Sequence, residues 1–202
     1  MSPKTGTERT LTRKGVATRQ RIVEGAAAEI RERGIAETTL DHVRARTGTS
    51  KSQLFHYFPD GKDQLLLMVA RYEADRVLTD QQPQLGDLTS WPAWQGWRDR
   101  VVDRYLTQGM DCPLSGVIAQ LGRTTPGAAA VVSELMTRWR SEIAAGIRHM
   151  QEIGEVDPGL DADRSAKALL AGIQGGVMVM LATGRIDHLE AALDMGIESL
   201  RR

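Results

Sequence analysis

Thr39-Leu40-Asp41-His42-Val43-Arg44-Ala45-Arg46-Thr47-Gly48-Thr49-Ser50-Lys51-Ser52-Gln53-Leu54-Phe55-His56-Tyr57-Phe58-Pro59 is the stretch on which the fold turns. Thr38 or Thr39 opens a short helix that runs to about Arg46, with Asp41 placed where a negative charge suits a helix amino terminus. Gly48-Thr49-Ser50 makes a tight turn, and Ser50 followed three residues later by Gln53 forms a capping box that starts a second short helix at Lys51. Pro59-Asp60-Gly61 stops it. Val43 and Leu54 are the apolar contacts that hold the two helices at a steep angle. Two short helices joined by a glycine-bearing turn make a helix-turn-helix, whose second helix fits a major groove. That helix offers Lys51, Ser52, Gln53, His56 and Tyr57, flanked by the turn hydroxyls of Thr49 and Ser50. Lysine and hydroxyls suit phosphate anchoring, and Gln53 suits a base edge. Packing beneath the motif is the other role open to Tyr57.

Outward from this centre, helical period continues and strand-like alternation is scarce. A helix over 15–33 precedes the motif, with Ile22, Val23, Ala26, Ala27 and Ile30 on one face and Gly34 as its stop. A long helix over 62–79 follows it. Beyond a loop at 80–90, helices are expected over 91–108, 114–122, 126–153, 161–182 and 186–200. The chain reads as all-α, about nine helices, with a basic arm at 1–14, a DNA-binding unit at 15–61 and a second unit at 62–202.

Charge agrees with that division. The 202 residues carry 26 Lys and Arg against 26 Asp and Glu, yet residues 1–58 hold 11 basic and 6 acidic side chains. A basic end on an acidic remainder suits a polyanion partner. A hydrophobic content of 41% supports a real core and argues against wholesale disorder. The single cysteine, Cys112, excludes an internal disulfide. The four histidines (His42, His56, His149, His188) show no ligand spacing, so neither a metal nor a cofactor is expected. No apolar run approaches the roughly 20 residues of a membrane span, and residues 1–14 lack the apolar segment of a secretory signal. The expectation is a cytoplasmic protein without a membrane partner.

The second unit is rich in large, adaptable side chains: Trp94, Trp97, Tyr105, Met110, Ile118, Leu121, Met136, Trp139, Ile143, Met150 and Met178. Indoles and thioethers either fill a core or line a cavity for a flat, apolar molecule. Cys112 stands among them, without the basic neighbours that would favour a thiolate. The last two helices carry apolar stripes, Leu169, Leu170, Ile173, Val177 and Leu181, then Leu189, Leu193, Ile197 and Leu200. These are expected to meet their symmetry mates in a four-helix dimer interface, with Gly172, Gly175, Gly176, Ala191 and Ala192 permitting close approach. One recognition helix binds too weakly for selectivity, whereas a dimer reads a palindrome.

Residues 18–65 resemble the DNA-binding domain of the TetR family of transcriptional regulators. The matching residues are Thr18-Arg19-Gln20-Arg21-Ile22, Ala26-Ala27, Gly34, Thr38-Thr39 and Gly48-Thr49-Ser50-Lys51. Leu54-Phe55-His56-Tyr57-Phe58-Pro59 and Lys62-Asp63-Gln64-Leu65 complete the match. Asp111-Cys112-Pro113-Leu114 is similar to a motif of one branch of that family. The resemblance implies a helical effector-binding and dimerisation domain after residue 61, with phosphate contacts from Arg19, Thr39 and Lys62. It further implies a pocket lined by some of the large side chains named above together with Cys112. Family members often carry Phe, Tyr and small residues where this chain has Ile30, Phe55, Arg44 and Thr47. Ile30 and Phe55 read as conservative packing changes, and Arg44 as either a phosphate contact or a solvated charge. The expected function is a homodimeric repressor that binds a palindromic operator in double-stranded DNA and is released by a small apolar or aromatic effector. The alternatives are an activator, a regulator answering to a protein partner, or an all-α enzyme using Cys112.

Overall fold

Capping side chains decide where the amino-terminal helices begin. Thr12 Oγ1 accepts from the Gly15 backbone N–H at 3.2 Å, so α1 (Arg13–Glu37) starts two residues before the expected Gly15 and absorbs Arg13 and Lys14 from the supposed arm. The remainder of that arm, residues 1–10, lies outside the described residues, since the computed structural model describes 11–108, 114 and 126–201. Gly34, at φ +76°, interrupts α1 where the stop is expected. α2 (Leu40–Thr47) is capped by Thr39, whose hydroxyl accepts from His42 N–H at 3.2 Å. Gly48 takes the left-handed conformation, φ 59° and ψ 33°, that its turn requires. α3 (Lys51–Tyr57) and α4 (Lys62–Thr79) keep their expected limits.

A short 3-10 turn at Gln84–Gly86 interrupts the expected loop. α5 (Trp91–Gln108), α6 (Pro126–Glu152), α7 (Ala162–Thr183) and α8 (Asp187–Glu198) follow. The described residues thus hold eight α-helices and no strand. The helix expected over 114–122 falls outside them apart from Leu114.

One apolar core runs through the molecule, from Ile22 and Ala26 of α1 through Leu65, Val69 and Val77 of α4 to Trp139, Ile173 and Leu193. Helix α4 packs on α1 at one side and on α6 at the other, so it is shared by both units. Carboxylates buried in the core are paired, as burial of charge demands. Glu29 of α1 receives Arg46 of α2 at 2.5 Å and Arg33 at 2.8 Å. The Arg46 hydrogen bond is the chief reason its carboxyl lies below the usual carboxylate range. Glu73 of α4 is buried against Arg31 of α1. There burial dominates and pushes the carboxyl above its usual range, against the pull of Arg31, Arg76 and Arg104.

The apolar stripes expected at a dimer interface are used inside the chain instead. Leu169, Leu170, Ile173 and Val177 of α7, and Leu189, Leu193, Ile197 and Leu200 at and after α8, are all buried in the single chain, with Leu181 half-buried. The physical reason is size: burying a Leu or Ile removes the most apolar surface from water, so the intramolecular contact takes the large side chains. Helix α7 also has the length and mean hydropathy of a membrane span, which the sequence reading did not expect. Leu169, Leu170, Ile173 and Val177 lie on the side packed by α6 and α8, and 39% of the apolar window is buried.

At Gly176 the backbones of α7 and α8 approach closely. A Cβ there would sit 2.5 Å from Leu189 Cα and 2.9 Å from its backbone nitrogen, atoms that cannot rotate away. Gly176→Ala is expected to cost about 1–3 kcal/mol of stability in urea unfolding, the usual range for overpacking. Gly96→Ala in α5, where a Cβ meets nothing within 4 Å, is expected to gain about 0.5–1 kcal/mol by removing a helical glycine. Equal effects at the two sites would contradict the close crossing.

Candidate nucleic-acid interface

Helix α3 is held by one edge. Leu54 and Phe58, four residues apart and therefore on one side, are both fully buried, as is Val43 of α2. The opposite side presents Lys51, Ser52, Gln53, Phe55 and His56 to solvent, with Tyr57 half-buried at the margin. Tyr57 meets His56 edge-on, ring centroids 4.9 Å apart. A seven-residue rod anchored along one side and polar along the other has the shape and donor set of a groove-reading element.

Several expected contacts are engaged within the protein. Thr49 is buried, its hydroxyl accepting from Thr47 Oγ1 at 2.8 Å. It therefore holds the turn and does not face a groove, because the turn needs its polar groups satisfied. Lys62 Nζ donates to the Thr38 carbonyl at 2.7 Å, tying the start of α4 to the segment before α2. This internal bond takes up one of the three ammonium donors expected on phosphate. Ser50 and Gln53 close the capping box, with Ser50 Oγ accepting from Gln53 N–H at 3.2 Å and Gln53 Oε1 accepting from Ser50 N–H at 3.3 Å. The Gln53 side chain thus caps through its oxygen, which leaves the amide nitrogen for a partner. Ser52 lies 3.1 Å from the Ser50 hydroxyl. Thr39 is exposed at the α2 cap, and the Arg19 guanidinium stands 5.9 Å over the Phe58 ring.

The basic excess of the head is partly internal as well. Arg31, Arg33, Arg44 and Arg46 each hold a carboxylate, of Glu73, Glu29, Asp41 and Glu29 respectively. Arg44 pairs with Asp41 at 2.7 Å on the surface. Lys51 stays exposed at the first position of α3. Phe55, taken from sequence as a packing residue, is 40% exposed. The available signal was the helical period, which sets Phe55 about 100° away from the Leu54 edge.

In the second unit Trp94, Trp97, Trp139, Tyr105, Ile143 and Met150 are buried, and Met136 packs half-buried against them. Trp97 Nε1 donates to Gln81 Oε1 at 2.8 Å and meets Trp94 edge-on at 5.8 Å. Among the described residues, the buried indole N–H groups of Trp94 and Trp139 have no hydrogen-bond partner. Met178 departs from expectation: it is 73% exposed on the outer side of α7, so it lines no internal pocket. Met110, Cys112, Ile118 and Leu121 lie outside the described residues. Around Met178, the exposed positions Ala168, Ala171, Gly175 and Ala182 repeat at heptad-like spacing, and Ala191 and Met195 continue the apolar surface on α8.

Comparison with known proteins places both units. Residues 22–69 match the model described as bacterial regulatory proteins, tetR family, and residues 93–195 match the tetracyclin repressor-like C-terminal domain. An uncharacterized HTH-type transcriptional regulator of Mycobacterium tuberculosis is 30% identical over 110 residues, 52% of this chain and 53% of the relative. The aligned part thus spans about half the length of that curated relative. Among solved structures, a TetR transcriptional regulator from Chloroflexus aurantiacus is 27% identical with a TM-score of 0.72, covering 93% of this chain and 96% of that one. SmeT, described as the repressor of the Stenotrophomonas maltophilia multidrug efflux pump SmeDEF, is 18% identical with a TM-score of 0.67, covering 93% and 92%. SmeT has also been solved as a triclosan complex.

Proposed function

The chain belongs to the TetR family of bacterial regulatory proteins, and from that premise we propose that it is a DNA-binding transcriptional repressor. It acts as a homodimer, reads a palindromic operator through the outward side of α3, and leaves the operator when a small apolar or aromatic molecule enters the second unit. The observation that carries this reading is the exposed Lys51, Ser52, Gln53 and His56 on a short helix whose other side is anchored by Leu54 and Phe58. Phosphate contacts come from Arg19, Thr39 and Lys51, with Lys62 contributing the ammonium donors left over from its bond to Thr38.

The dimer face is the outer side of α7 and α8: Ala168, Ala171, Gly175, Met178 and Ala182 with Ala191 and Met195. Small residues allow two α7 helices to approach closely, and the two methionines supply adaptable contact area. An exposed apolar surface of this kind on helices otherwise packed inward is the surface a second copy covers.

The effector acts through α4. This helix joins the head by the Arg31–Glu73 pair and the Lys62–Thr38 bond. It joins the second unit by Arg138 to Asp75 at 2.6 Å and by Arg100 to the Asp80 carbonyl at 2.5 Å. A ligand that favours a shifted α4 changes the separation of the two α3 helices, and it must bind that state more tightly by a few kcal/mol to empty the operator. SmeT, solved with triclosan on the same fold, supports an effector of this chemical kind. The test is selection of bound duplexes from a random pool by the purified chain. Enrichment of an inverted repeat supports the proposal. No enrichment of any sequence, at any ionic strength that permits binding, refutes it.

A further inference from the structure

Among the described residues the exposed large hydrophobics are Val16, Phe55, Leu106, Ile153, Met178 and Met195, and Phe55 is the one aromatic ring in that set. It stands on α3, the helix proposed to enter the groove, one turn after Lys51 and adjacent to His56. Its edge reaches the Gly61 turn, where a Cβ would lie 3.9 Å from Phe55 Cε1, and 40% of the residue is exposed. The core side of α3 is already filled by Leu54 and Phe58, so the ring is surplus to the anchoring of the helix. A phenyl ring has no hydrogen-bonding group, so it serves neither a phosphate oxygen nor the donor and acceptor edges of adenine, guanine or cytosine. In the major groove one base presents an apolar group, thymine with its 5-methyl.

We propose that Phe55 is a specificity-determining residue that selects thymine by covering its 5-methyl group in the major groove. The proposal rests on the DNA-reading role of α3 and adds to it the identity of one base. Against any other base the ring covers polar edge atoms and leaves them unpaired, which penalises the wrong sequence. Gln53, on the other flank of the helix, and Phe55 thereby divide the half-site between a polar and an apolar contact.

The experiment uses the full chain and the duplex recovered by selection, compared with the same duplex carrying deoxyuridine in place of thymine, one position at a time. The substitution removes only the methyl group and leaves base pairing intact. At one thymine per half-site, binding is expected to weaken about fourfold, the worth of one buried apolar carbon. Phe55→Ala is expected to bind the thymine duplex more weakly than wild type and to lose the distinction at that position alone. Phe55→Gln, which keeps a longer side chain beside the Gly61 turn, repeats the comparison if the alanine variant fails to fold. Equal binding of thymine and deoxyuridine duplexes by the wild type, a half-site without thymine, or retention of the distinction by the variants overturns the proposal. Failure to select any duplex, by contrast, overturns the DNA-reading role itself.

Discussion

Gln53→Glu is expected to abolish operator recognition while leaving the head folded. The capping box uses the Gln53 side-chain oxygen, and glutamate at this position makes the same box. A negative charge in the first turn also suits the helix dipole, so stability is expected to hold or to rise by about 0.3–1 kcal/mol. What is lost is the amide donor, and what is gained is a charge facing phosphates. A good amide-to-base pair is worth about 1–3 kcal/mol, so each half-site is expected to lose roughly 5- to 150-fold in affinity. Lys51→Ala makes the contrast: it weakens binding to all duplexes alike and flattens the salt dependence by about one unit per protomer. Anisotropy titrations across salt concentrations separate the two. Equal behaviour of both variants and wild type would remove α3 from the interface.

Met178→Glu is expected to convert a dimer into a monomer. The residue is 73% exposed in the single chain, so the substitution leaves the internal core untouched and the unfolding midpoint of the isolated chain is expected to change little. Across a two-fold interface the new carboxylate meets either its own copy or the apolar strip of Gly175 and Ala171, and burying it there unpaired costs several kcal/mol. Sedimentation velocity reads the monomer directly. Operator affinity is expected to fall more than about 100-fold, because the two half-sites no longer bind as one linked unit. A Met178→Glu protein that still sediments as a dimer would move the interface elsewhere. Leu193→Glu is no substitute for this test, since Leu193 is fully buried within the chain and its loss unfolds the protomer.

The helices were readable because each is punctuated. Thr39 and Ser50 accept from the third residue on, and Gly34 and Gly48 take positive φ where the reading stops a helix. The start of α1 was misjudged because Thr12 caps it from a segment that reads as a polar arm. In α7 the period was legible but its assignment was not. Two apolar sides run along that helix, one buried that carries Leu169, Leu170, Ile173 and Val177 beside Ala166, Gly176 and Met180, and one exposed that carries Ala168, Ala171, Gly175, Met178 and Ala182. Ranking them by buried area would have put the large side chains inside and left the small ones for a partner. Thr49 was misread for a different reason: its partner, the Thr47 hydroxyl, is supplied by the turn geometry, and the bond from Lys62 to the Thr38 carbonyl is likewise a tertiary contact that no spacing shows. Resemblance misled at Phe55, where a family tyrosine suggested a packing role, although the four-residue spacing of Leu54 and Phe58 already placed the ring off the buried edge.

Whether the outward side of α3 lies in the major groove is decided by methylation interference on the selected duplex. Guanine N7 opens into the major groove and adenine N3 into the minor groove, so the two modified positions report on different surfaces. Two symmetric clusters of guanine N7 interference, separated by one helical turn or a multiple of it, are the expected result for the wild-type chain. Interference confined to adenine N3, or none at any purine of a duplex that the protein binds selectively, would contradict it.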